Sequence, residues 1–64
     1  MNKFALIIDN GETEEYSDHD SKEAADEAFQ RRVKRGRVFD AHIQEIGPDG
    51  EVVRTYVPER RDPF

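Results

Sequence analysis

Apolar positions run together in one stretch of this chain, alternate with polar ones in two more, and switch to a helical period in a fourth. In KFALIID, Phe4, Leu6 and Ile8 alternate with Ala5 and Ile7, and both sets are apolar. That pattern predicts a strand lying inside a sheet or under a second layer. Asn10-Gly11 follows, the pair that a two-residue type I′ turn prefers because both residues accept positive φ. Such a turn would fold ETEEYS back as a short edge strand, with Glu14 and Glu15 near Ile7 and Leu6. In SDHDSKEAADEAFQRRVKRG the period lengthens. Ala25, Ala28, Phe29, Arg32 and Val33 recur at three- and four-residue steps, which predicts a helix over 21–35. Asp20 or Ser21 can cap it, and Asp20 would place Glu23 in a capping box. Gly36 is positioned to close the helix in the left-handed conformation.

Alternation with polar positions begins in RVFDAHIQEIG. Phe39, Ala41 and Ile43 share one side, and Asp40, His42 and Gln44 the other. Ile46 breaks the rhythm, so the strand should bulge or end near Glu45. GPDG is a turn, with proline preset for the first central position and Gly50 free to take positive φ. EVVRTYV returns as a strand, with Val53, Thr55 and Val57 on one side and Val52, Arg54 and Tyr56 on the other.

The order β-(β)-α-β-β implies an α+β fold: a two-layer sandwich with one helix on a small, three- to four-stranded, mostly antiparallel sheet. Residues 1–57 should form a single compact domain and 58–64 a C-terminal tail, whose two prolines argue against further pairing. Parallel pairing of the first and third predicted strands would require a right-handed connection. The last strand lies either between its neighbours or at an edge.

Charge alters this picture more than composition does. Hydrophobic residues make up 34% and charged residues 39%, a balance that leans towards disorder unless the apolar residues cluster, as they do here. The net charge is −5, but residues 9–29 hold nine carboxylates and one lysine, whereas QRRVKRGRVF has five cations and no acid. Within the helix this segregation suits the macrodipole, acids near the N-terminus and bases near the C-terminus. Glu27 and Arg31, and Lys22 and Asp26, are spaced for ion pairs one turn apart. The macrodipole does not account for Glu12, Glu14 and Glu15, which have no cation close in sequence and with Asp9, Asp18 and Asp20 form a self-repelling strip. Such a strip stays solvated or awaits a basic partner. An isoelectric point near 4.9 argues against direct nucleic-acid binding, despite the basic run.

Catalytic motifs are sparse. There is no cysteine, hence no disulfide, thiolate metal site or cysteine nucleophile, and a cytoplasmic home is expected. Ser17 and Ser21 lie outside any nucleophile-elbow motif, and no glycine-rich phosphate loop is present. The five-residue apolar run at Phe4 to Ile8 is too short for a signal peptide, and no run is long enough to span a membrane. Asp18-His19-Asp20 offers two carboxylates and an imidazole, but with no EF-hand loop or paired-histidine spacing around it. So small a core also leaves little room for an enclosed pocket.

The helix should cover one face of the sheet only. The open face is expected to carry Ala5, Ile7, Asp40, His42, Gln44, Val52, Arg54 and Tyr56, with Ile7 and Val52 poorly protected. These observations lead to a non-enzymatic, cofactor-free, acidic protein-binding module. It would use Glu12, Glu14, Glu15, Asp18 and Asp20 together with that face. Its partner would be a protein with a basic surface. A homodimer through the open face or an edge strand is a further possibility. By analogy of size and charge, phage-type inhibitors that occupy a nucleic-acid-binding surface of a host protein fit this description. The alternative is a minimal metal-dependent enzyme or metal-binding protein built on Asp18-His19-Asp20. Divalent ions would raise the melting temperature only under that alternative.

Overall fold

The structure, a computed structural model, describes residues 2–61. Strands β1 (Lys3–Asp9) and β2 (Glu14–His19) are followed by helix α1 (Lys22–Arg35) and strands β3 (Asp40–Ile46) and β4 (Val52–Tyr56). This is the expected α+β arrangement, with the helix packed on a four-stranded sheet. The strand order is β2-β1-β3-β4, and every neighbouring pair is antiparallel. The inner strands are β1 and β3, and β1 is the most apolar of the four. It pairs with β3 antiparallel, not parallel, so the helix links β2 and β3, which flank β1 and run in the same direction. β4 lies at an edge.

Directly opposed residues in an antiparallel sheet share a face. Leu6 opposes Ile43 and Ile8 opposes Ala41, and these four form the buried core with Ala25 and Phe29 of the helix. Alanine at position 25 is fully buried, which lets the helix lie close on the sheet while Phe29 fills the space beyond. Ser21 is the N-cap: its hydroxyl accepts from the Ala24 amide at 3.0 Å. At the other end Gly36 is extended, not left-handed, so the helix ends without the glycine closure expected from sequence.

The first connection also departs from expectation. Asn10-Gly11 does not make a two-residue turn; a four-residue loop runs from Asn10 to Thr13. The Asn10 carboxamide oxygen accepts from the amides of Glu12 and Thr13, and Gly11 takes φ +96°. The loop shifts the register, so Glu14 opposes Asp9 and Glu15 opposes Ile8. At the second connection Gly50 has φ +84° and its amide bonds the Gly47 carbonyl, as the GPDG sequence requires. The pairing slips between Glu45 and Ile46, the bulge predicted by the broken alternation.

Phe39 does not join Ala41 and Ile43 in the core. It precedes β3, is 66% exposed, and lies against the Gly11 loop with the Arg37 guanidinium 6.0 Å from its ring. Val38 packs on the core in its place. Beyond β4 the chain turns over the helix. Gln30 fixes it twice, its Nε2 donating to the Glu59 carbonyl at 2.8 Å and its Oε1 accepting from the Arg61 amide at 3.1 Å. Arg61 then pairs with Asp26 at 2.6 Å. Thus the first half of the expected tail is docked on α1. Residues 62–64 lie outside the described residues. Among the described residues no helix is long and apolar enough to cross a membrane.

Candidate partner-binding face

The pleat of β2 splits the acidic strip in two. Glu15, Ser17 and His19 oppose Ile8, Leu6 and Phe4, and so share the helix-covered side. Glu14, Tyr16 and Asp18 oppose Asp9, Ile7 and Ala5, and so share the open side. Glu12 is in the preceding loop and Asp20 follows the strand, both exposed.

Glu15 is the member of the strip that finds a cation within the fold. Arg32 grips it in a bidentate pair, Nε to Oε1 and Nη2 to Oε2, each 2.8 Å, and Asn10 donates at 2.9 Å. The Arg32 hydrogen bonds, then that of Asn10, pull the Glu15 carboxyl from 4.5 to about 2. Arg32 in turn is held more firmly protonated. Glu15 is therefore committed internally, and its place in an acidic surface passes to residues on the other side of the strand.

Arg54 and Tyr56 also lie on the helix side, not on the open face. Tyr56 opposes Ile43 and packs on the core; Arg54 opposes Glu45. The Tyr56 hydroxyl donates to Glu45 at 3.0 Å, and Lys22 stands 4.9 Å from the centre of its ring. Asn2 donates to the same carboxylate at 2.6 Å, and Asn2 and Tyr56 together lower the Glu45 pKa.

The open face is led by acids. Asp9 opposes Glu14 on one side and Asp40 on the other, so three carboxylates occupy one row across β2, β1 and β3. Two rungs along, Ala5 stands between Asp18 and Gln44; the rung between places Ile7 between Tyr16 and His42. Lys3 is the cation of β1 on this side. Ile7 is not poorly protected: it is 8% exposed and Ala5 7%, because each sits on an inner strand between flanking side chains. Val52, in contrast, is 51% exposed, in line with expectation. Tyr16 is 68% exposed. Its hydroxyl donates to Glu14 at 2.6 Å, and that carboxylate raises the tyrosine pKa.

Comparison with family models, curated proteins and solved structures returns no match to this chain. What the face can do therefore rests on its own chemistry. Like charges in directly opposed positions are destabilising. Among the described residues each of the three acids in the row has only a local partner: Asp9 accepts from the Gly11 amide, Asp40 from the Ala41 amide, and Glu14 from Tyr16. None of those donors is a cation. The sequence places Asp9 in the acidic strip and Asp40 on the open face, but not in line with each other, and Tyr16 in neither set. Their signal was present only jointly, since it takes the pairing register to bring residues 9, 14 and 40 into one line.

The Asp18-His19-Asp20 triplet does not converge. Asp18 and His19 are on opposite faces, and the His19 Nε2 lies 2.8 Å from Ser17 Oγ. Among the described residues no three histidines or carboxylates are grouped so as to hold a metal ion.

Proposed function

We propose that this chain is a small acidic binding module that engages a basic protein surface through the open face of its sheet. The carrying observation is the row Glu14–Asp9–Asp40, three opposed carboxylates with no ion pair among the described residues while Glu15 beneath them has one. A fold that pairs its helix-side acid yet leaves this row uncompensated gains when a partner supplies the positive charge. Asp18 extends the negative field. Tyr16, exposed beside it, supplies the aromatic contact that binding sites favour. Glu12 and Asp20 lie at the margin, where they would steer encounter more than hold the complex.

In its narrower form the module is an inhibitor of the phage type, covering a nucleic-acid-binding surface of its target inside the cytoplasm. It works without a cofactor and without making or breaking bonds. The test is affinity capture at low and high salt with the wild type and the Glu14→Gln/Asp18→Asn/Asp40→Asn variant. The reading expects a basic protein retained by the wild type at low salt, released at high salt, and lost by the variant. The narrower form expects nucleic acid to compete for that protein. Capture that is unchanged in the variant removes the proposal.

A further inference from the structure

The other side of β2 carries a second feature, independent of the acidic face. Between β2 and α1 lies a half-open hollow of about 380 Å³. That is within the range of small-ligand sites, and larger than the chain's length and composition suggested. Its apolar lining is Leu6, Ile8 and Ala28.

Its polar walls carry three arginines and one acid, Glu15, whose carboxylate is held by Arg32. Arg31 and Arg35, one helical turn apart, line the helix side. Ser17 and His19 line the strand side, with their side chains joined at 2.8 Å. Arg32 lies between the two arginines in sequence, but its charge is already met by Glu15. Among the described residues the ion pairs are Glu15–Arg32 and Asp26–Arg61, so Arg31 does not pair with Glu27 as its spacing allowed. Like charges one turn apart repel. An anion between them would remove that repulsion. A guanidinium pair facing a hydroxyl and an imidazole is a donor set suited to a phosphate.

We propose that this hollow binds a phosphate monoester carried on a short apolar body, the head between Arg31, Arg35, Ser17 and His19 and the body on Leu6, Ile8 and Ala28. The ester is either a free small molecule or a phosphorylated tyrosine of another protein. Titration of labelled protein with phenyl phosphate, followed by amide and methyl NMR, tests the site. Phenyl phosphate should shift the Leu6 and Ile8 methyls and the amides of Ser17 and His19. Inorganic phosphate should move the amides alone, and benzyl alcohol neither set. Arg31→Gln/Arg35→Gln should weaken binding by about tenfold or more. Both positions are exposed, and glutamine is a good helix former, so the fold should persist. Ser17→Ala gives a second reading at the opposite wall. A heptapeptide bearing phosphotyrosine separates the sources: tighter binding than phenyl phosphate assigns the ligand to a protein, equal or weaker binding to a free ester. Equal affinity in the double variant, or shifts spread evenly over Lys34, Arg37 and Arg60, overturns the proposal. The acidic-face variant should bind phenyl phosphate at least as well as the wild type, so this result is read separately from partner capture.

Discussion

The two sides of β2 treat the same kind of residue differently. On the helix side Glu15 meets Arg32 in a bidentate pair and is closed off from further use. One residue earlier, on the open side, Glu14 stands in line with Asp9 and Asp40 and meets a neutral hydroxyl. Adjacent glutamates thus have opposite fates, decided by strand pleat alone. The difference separates charge that holds the fold together from charge left facing outward, and only the second kind is available to a partner.

Substitutions can break or sharpen this contrast. The largest effect should come from the shared support of both sides. Phe29→Ala removes the main helix anchor and should cost about 3–5 kcal/mol. A chain of this size rarely has more than about 3–5 kcal/mol in total, so circular dichroism should show it largely unfolded at room temperature. Gly11→Ala acts on the loop that sets the β1–β2 register. Its φ of +96° opposes it, while the exposed Phe39 ring, 3.4 Å from the new methyl, leaves room at contact distance. A cost of about 1–2 kcal/mol is expected in urea melts.

The Glu15–Arg32 pair should reveal itself through pH. Because the folded-state carboxyl is depressed to about 2 from 4.5, its stabilisation is fully present above about 4.5 and is lost as the pH falls towards 2. Glu15→Gln should therefore melt below the wild type at neutral pH, and the gap should close across that window. A gap that is the same at pH 7 and pH 2.5 would show that the pair does not act through its charge. The smallest effect has the opposite sign. Glu14→Gln keeps an acceptor for Tyr16 but relieves the row, and should stabilise by about 0.2–1 kcal/mol at low salt, with the gain fading as salt rises.

Much of the fold was legible because short-range patterns carried it. An apolar run marked β1, alternation marked β3, the three- and four-residue steps marked α1, and the Ile46 irregularity announced the bulge. The Asn10-Gly11 pair misled because Asn10 turned its side chain onto the two following amides, an alternative that sequence preference does not exclude. The sides of β4 were read in reverse because Val52, Arg54, Tyr56 and Val53, Thr55, Val57 are both mixed sets. Only the pairing of Tyr56 with Ile43 decides between them. The candidate site was half legible for a related reason. Acidity is visible residue by residue, but Arg32 meeting Glu15 across seventeen positions, and Asp9, Glu14 and Asp40 entering one row, are products of register.

The most direct test compares salt dependence of affinity for the captured basic partner. The wild type, Glu14→Gln/Asp18→Asn/Asp40→Asn and Arg31→Gln/Arg35→Gln would be measured over the same range of ionic strength. If the open face makes the contact, the first variant should bind more weakly with a flatter salt response, and the second should match the wild type. Equal salt slopes for the wild type and the acidic-face variant would contradict the account.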